Sequence, residues 1–148
     1  MQGYTISTDQ DELDVELIYG FISTSYWATG IPRHTMAKAI ENSLCFGVYA
    51  ANGQQIGFAR VISDKATFAY LADVFIVDAH RGKGLSKWLV ATIIAHPELQ
   101  GLRRMMLGTA DAHGLYAPFG FSAIAEPERF MQIWQPNVYR TVLQDPSD

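Results

Sequence analysis

The sequence predicts an α/β fold of the α+β type, a mixed sheet flanked by helices, on three observations. Short alternating or β-rich runs recur along the chain, at Tyr4 to Ser7, Phe46 to Ala50 and Gln55 to Ile62. Stretches with apolar residues at helical spacing lie between some of them. A glycine-containing turn, Asp78 to Gly84, joins a strand that is apolar on both faces to a strongly apolar helix.

Taken in order, Tyr4-Thr5-Ile6-Ser7-Thr8 alternates and reads as a first strand. From about Asp11 to Ser23 the apolar residues Leu13, Leu17, Ile18 and Phe21 have helical spacing, with acids in the first turn. Ser25 to Ile31 is a loop rich in aromatic and small residues, and Pro32 opens a second helix reaching about Asn42. Phe46 to Ala50 and Gln55 to Ile62 form a hairpin around Asn52-Gly53. Phe68 to Val77 is a central, buried strand. Leu85 to Ala95 is a helix stopped by Pro97. Met105 to Thr109 is a short strand, and Asp111 to Pro118 a short helix ended by Gly120. Phe121 to Ile124 and Phe130 to Trp134 read as two last strands, and Asp145 to Asp148 as a frayed end. The expected order is β-α-α-β-β-β-α-β-α-β-β, within a single domain over residues 1–148.

Composition narrows the function classes. The chain is 49% hydrophobic and 18% charged, a globular balance. Its apolar runs are too short to span a bilayer, and its start lacks a secretory pattern, so no membrane association and a cytoplasmic location are expected. The single cysteine, Cys45, excludes an internal disulfide framework and a multi-cysteine zinc site, and no metal is expected. A net charge of −4 disfavours a general nucleic-acid binder. Charge is nevertheless uneven. Five acids and no base lie between Asp9 and Glu16, whereas Arg81, Lys83 and Lys87 cluster without an acid.

That basic cluster surrounds two glycines at the start of a helix. Gly82 and Gly84 permit a tight turn and close approach of a ligand to the backbone. The first amides of the helix have no intrahelical partner and lie at its positive end, a geometry that binds phosphate. A Walker A loop does not fit, because Lys83 is followed by Gly84. A dinucleotide fingerprint does not fit, because Lys87 stands at its third glycine.

The run Asp73 to Leu85 resembles the acetyl-CoA-binding motif of the GNAT N-acetyltransferase superfamily, Gln/Arg-x-x-Gly-x-Gly/Ala between a strand and a helix. Arg81, Gly84 and Ser86 occupy its specified positions, with Ser86 in place of the usual Gly or Ala. Ala112 to Phe121 is similar to the family's Ala-x-x-Leu-Tyr-x-x-x-Gly-Phe segment. The asparagine often found seven residues before that tyrosine is Thr109 here.

The resemblance implies a GNAT-like fold and acetyl transfer from acetyl-CoA to a primary amine in a ternary complex. It implies that the pantetheine arm lies along Phe75, Ile76 and Val77, with the pyrophosphate on the amides of Arg81, Gly82, Lys83, Gly84, Leu85 and Ser86. Thr109 or Asp111 would stand near that arm. Tyr116 would face the thioester sulfur as general acid. The acceptor would be held by the loop between the first two helices, at Tyr26, Trp27, Ile31, Arg33 and His34, and by Phe130 to Trp134. Arg33 would pair with an acceptor carboxylate.

Transfer to an amine also calls for a proton acceptor. Asp73 is the one acid in its strand and is the candidate base, with His113 the competitor. The five early acids would steer a cationic acceptor only if they face the cleft. The acceptor itself, a small molecule or a peptide amine, stays open. A non-catalytic acyl-CoA-binding module and a nucleotide-binding interaction domain remain as alternatives. Apolar residues near the C-terminus suggest a homodimer.

Overall fold

The computed structural model describes residues 1–143. Five strands form one sheet in the order β1 (Tyr4–Ser7), β2 (Leu44–Ala50), β3 (Gln55–Ser63), β4 (Phe68–Ile76), β5 (Arg104–Leu107). The first four are antiparallel neighbours, and β5 joins β4 in parallel. The sheet is therefore mixed, as expected.

Helices cover both faces. α1 (Val15–Ile22) and α2 (Arg33–Glu41) bury Ile18, Ile22, Met36 and Ile40 against Cys45, Phe58 and Phe75. α3 (Leu85–Ala95) and α4 (His113–Tyr116) bury Leu85, Leu89, Ile93 and Tyr116 against Phe46, Val61 and Leu71. A last helix, α5 (Val138–Leu143), brings Tyr139 against the α1/α2 core.

Element ends follow local chemistry. α1 begins at Val15, later than the expected Asp11, because the Asp14 carboxylate accepts from the Leu17 amide at 3.1 Å and caps the helix there. Asp9 caps a separate short turn at Gln10–Glu12. Two of the five early acids are thus caps. Glu12 accepts from Ser7, and Glu16 pairs with Arg33. α3 stops at Ala95, where His96 is held extended before Pro97.

The two expected last strands do not form. Phe121 to Ile124 and Phe130 to Trp134 have no ladder, and a short turn, Pro127–Arg129, separates them after Glu126 at φ 58°. Extended backbone becomes a strand only when a neighbouring edge accepts its hydrogen bonds. The expected fraying of Asp145 to Asp148 lies outside the described residues.

Candidate active site

The sheet opens between β4 and β5. Their pairing ends at Leu71 and Leu107, yet β4 continues to Ile76. Just past that point β4 carries a bulge. Arg60 pairs with Ala72 and Phe58 with Phe75, so Asp73 and Val74 together face the single residue Ala59. Asp73 takes φ 55°, a left-handed conformation that an aspartate tolerates better than most residues. The bulge reverses which face each residue meets. Leu71 belongs to the α3 core, Phe75 to the α1/α2 core and Ile76 again to the α3 core.

Beyond the bulge the Val77 amide donates to the Ile56 carbonyl at 2.9 Å, across the hairpin. Antiparallel pairing alternates, so Phe75 and Val77 turn their backbone groups to β3 and Ile76 turns its own to the open edge. The Ile76 carbonyl accepts from Arg81 Nε at 2.9 Å. Of the three residues expected along the pantetheine arm, Ile76 is thus the one whose backbone faces the opening.

The turn that follows is shaped by two left-handed glycines, Gly82 at φ 81° and Gly84 at φ 78°. A side chain at Gly82 would meet nothing within 4 Å, so the space above the turn is open. Gly84 caps α3 with no side-chain bond, and the first closing bond runs from the Trp88 amide to the Gly84 carbonyl at 3.1 Å. The amides of Leu85, Ser86 and Lys87 lie before that bond and lack intrahelical partners. They border a cavity of about 300 Å³ together with Arg81, Gly82 and Leu115. Arg81 is anchored by an ion pair with Asp78 at 2.7 Å. Lys83 leans away from this cavity. Its ammonium lies 3.1 Å from the Tyr4 hydroxyl, which in turn is 2.8 Å from His80 Nδ1.

A second cavity of about 350 Å³ shares Ile76, Arg81 and Ser86 with the first and continues past Phe75 to Tyr26 and Trp27. A third, of about 510 Å³, shares Tyr26, Trp27, Val74 and Asp111 with the second and reaches Tyr116. The three form one groove from the glycine turn to an aromatic chamber.

The chamber is walled by Tyr26, Trp27, Tyr70, Tyr116 and Tyr139, with Ile22, Ile31 and Leu107 as apolar floor. Tyr116 is buried and packs edge-on against Phe121, with centroids 5.8 Å apart. Burial pushes its hydroxyl above the usual tyrosine range, and Tyr26 adds to the shift. Asp73 is buried with both oxygens engaged, Oδ1 by Trp27 Nε1 and Oδ2 by Arg60 Nε, each at 2.8 Å. The Tyr26 hydroxyl accepts from the Ala110 amide at 3.2 Å, linking the α1–α2 loop to the segment after β5. Thr109 accepts from the Ala112 amide at 3.0 Å and so shapes the start of α4.

The structure therefore gathers Tyr26, Trp27, Asp73, Thr109 and Tyr116 around one chamber, and Arg81, Gly82, Gly84, Leu85 and Ser86 around the turn. It does not bring in Arg33 or His34. Arg33 is held by Glu16 at 2.8 Å and lies over the Tyr19 ring. His113 is exposed, and neither it nor any of the five early acids lines the chamber. Phe130 to Trp134 also stay outside it. Four wall residues escaped the sequence reading of the chamber: Arg60, Tyr70, Asp111 as a wall carboxylate, and Tyr139. Arg60 had a legible signal, being the single charge in an otherwise apolar and polar-neutral strand.

Comparison with known proteins agrees with this geometry. Residues 17–121 match the model of the acetyltransferase (GNAT) family. A candidate acetyltransferase of Gibberella zeae is 35% identical over 135 residues, covering 76% of this chain and 75% of that protein. The crystal structure of a candidate GNAT acetyltransferase from Xanthomonas campestris pv. campestris is 49% identical with a TM-score of 0.90, over 94% of this chain and 98% of that one. A glucosamine-6-phosphate N-acetyltransferase from Arabidopsis thaliana shares the fold, with a TM-score of 0.62 at 15% identity, over 89% of this chain and 97% of that one. With the split sheet, the glycine turn and the matched family model in hand, the chain belongs to the GNAT acetyltransferase family.

Proposed function

We propose that this protein transfers an acetyl group from acetyl-CoA to the primary amine of a compact acceptor that carries apolar or aromatic surface. The continuous groove is the observation that carries the reading. It links a turn with free amides and left-handed glycines to an aromatic chamber containing Tyr116. Acetyl-CoA, the family's cosubstrate, supplies an activated acetyl thioester.

The chain's own residues divide the work. The amides of Leu85, Ser86 and Lys87 hold the pyrophosphate, aided by the helix dipole. Ile76 offers backbone groups at the open edge of β4 for an extended amide chain, in the manner of an added strand. Tyr26 and Trp27 close one side of the chamber, and Asp73 fixes the Trp27 indole. Asp73 acts in this reading as a positioning residue, its two oxygens holding the Trp27 indole and the Arg60 guanidinium on either side of the bulge. Asp111 makes no ion pair among the described residues and takes the amine proton. The amine nitrogen bonds to the carbonyl carbon, the carbon–sulfur bond breaks, and the sulfur leaves as thiolate. Tyr116 donates its hydroxyl hydrogen bond to that sulfur. Its raised pKa favours hydrogen bonding over full proton transfer.

The test is an amine panel assayed by release of free thiol, run beside thermal unfolding. Acetyl-CoA at one hundred times its dissociation constant stabilises a binding protein by about 2.7 kcal/mol. Stabilisation with no thiol release on any amine would identify a binding module instead. No stabilisation would overturn the assignment of the groove.

A further inference from the structure

We propose that the acceptor is an amino acid with an apolar or aromatic side chain, and that Arg60 binds its carboxylate inside the chamber. The inference rests on the groove being an acetyl-transfer site and names what enters its acceptor end.

Arg60 stands on β3 opposite Ala72, beside the bulge at Asp73. Its side chain is 15% exposed and borders the chamber. A guanidinium carries five N–H donors in one rigid plane. Two are used among the described residues. Nε donates to Asp73 Oδ2 at 2.8 Å, and Nη1 donates to the Ser43 hydroxyl at 3.2 Å. That hydroxyl accepts because its own hydrogen goes to the Ala39 carbonyl. Nη2 bonds to nothing among the described residues, and it is not among their sealed polar atoms. It is open to space, and the cavity that Arg60 borders is the chamber.

Asp73 leaves the guanidinium in this state. A carboxylate facing arginine squarely takes two parallel bonds. Asp73 takes only one, because its Oδ1 is turned to the Trp27 indole. A buried cation with idle donors is costly unless a partner meets them. An entering carboxylate is the acceptor that fits, since it takes N–H groups of a guanidinium in pairs.

The rest of the chamber matches the rest of an amino acid. Arg60 is the one cation among its described lining residues. Arg33, which the sequence suggests for a carboxylate, is held outside by Glu16. Asp111 makes no ion pair among the described residues and faces the same cavity, where it receives the amine. Tyr70, Tyr139, Ile22 and Ile31 offer aromatic and apolar surface for a side chain. A zwitterion enters such a chamber without net charge, so no uncompensated charge is buried with it.

Thiol release is followed with matched acceptors that differ only in the carboxylate: phenylalanine against phenethylamine, and leucine against isopentylamine. Wild type is expected to favour the amino acid of each pair by ~10- to 100-fold in kcat/KM, the range for a hydrogen bond to a charged group. Arg60→Lys keeps a cation beside Asp73 but loses the planar fork, so it should shrink that ratio at least ~10-fold. General damage to the fold lowers both members of a pair alike and leaves the ratio in place. The basicity of each amine cancels in the same comparison. Thermal unfolding with the products reads the site without turnover. N-acetylphenylalanine should stabilise wild type but not Arg60→Lys, and N-acetylphenethylamine should not distinguish them. An equal or inverted preference in wild type, or an unchanged ratio in Arg60→Lys, would overturn the proposal and leave acetyl transfer standing. No thiol release from any amine, with N-acetylphenylalanine still stabilising wild type alone, would overturn the transfer reading and keep Arg60 as a carboxylate site. With no stabilisation either, both fall. Should Arg60→Lys not fold, the wild-type ratio decides alone.

Discussion

Removing the Asp73 carboxylate should destabilise the fold by an amount the structure allows one to work out. Asp73 and Arg60 meet at 2.8 Å, with side chains 6% and 15% exposed, so solvent screens them little. Asp73→Ala strands a buried guanidinium and leaves the Trp27 indole N–H without its acceptor. Breaking a buried pair from one side costs about 3–5 kcal/mol. Alanine also has to adopt φ 55°, a conformation that costs most L residues about 1–2 kcal/mol. Asp73→Asn keeps an acceptor for Trp27 and tolerates the left-handed backbone. Its amide nitrogen is a donor and cannot accept from Arg60 Nε, so the Arg60 bond is lost while alanine's backbone cost is avoided, and the total should lie nearer ~3–5 kcal/mol. Urea unfolding at neutral pH, with the slope m checked for constancy, measures both. The companion variant Arg60→Met should cost about as much as Asp73→Ala, and the double variant Arg60→Met/Asp73→Ala less than the two singles together, because neither charge is then left alone. A cost below ~1 kcal/mol for Asp73→Ala, or strict additivity in the double variant, would refute the reasoning. If Asp73 only positions Trp27, Asp73→Asn should leave the acid limb of the rate–pH profile in place and act chiefly on the acceptor KM.

Further outcomes can be read with standard assays. Tyr116→Phe keeps the ring against Phe121, so stability should barely move, while turnover falls ~10- to 1,000-fold with acetyl-CoA affinity nearly unchanged; an unchanged turnover with chemistry rate-limiting would make Tyr116 a packing residue. Gly84→Val places a branched side chain at φ 78° beside the free amides and should weaken acetyl-CoA binding at least ~10-fold by calorimetry, about 1.4 kcal/mol. Lys83→Ala should weaken it less, since that ammonium is turned to Tyr4. Cys45 is buried, and burial pushes its thiol up to about 11 from 9.0. It should therefore resist a thiol reagent at pH 8 until the chain unfolds. Its folded pKa lies above the unfolded one, so the stability linked to the neutral thiol is complete below pH 9 and is lost as pH rises toward 11, which urea unfolding across that range would record.

The fold was legible wherever local signals and tertiary packing agreed. Gly84 and Pro97 bracket α3, and the structure starts and stops that helix at Leu85 and Ala95 as expected. Asn52-Gly53 marked the β2–β3 hairpin, which is present. The reading failed where an edge decides the outcome. Phe130 to Trp134 has the composition of a strand, but a strand also requires a neighbour, and among the described residues no strand pairs with it. The onset of α1 failed for a smaller reason. Asp9, Asp11 and Asp14 all precede apolar residues at helical spacing, and only capping geometry tells which of them closes the first turn.

The site was legible in the same uneven way. The turn and Tyr116 lie in contiguous motifs, where spacing along the chain fixes spacing in the fold. The chamber is assembled from α1, the α1–α2 loop, β3, β4, β5 with the segment after it, α4 and α5, so its membership depends on registers that no local pattern carries. The bulge in β4 is the decisive case. Phe68 to Ile76 is apolar at almost every position, so a change of face leaves no trace in its hydropathy. Asp73 is the exception, and it was read as a base because a lone acid in a buried strand suggests proton chemistry. The structure shows a second reason for an aspartate there. The extra residue must adopt a left-handed backbone, and Asp tolerates it. The same side chain then neutralises Arg60 and holds the indole that walls the chamber. One residue thus supports the break in strand pairing that opens the sheet and the wall beside that opening.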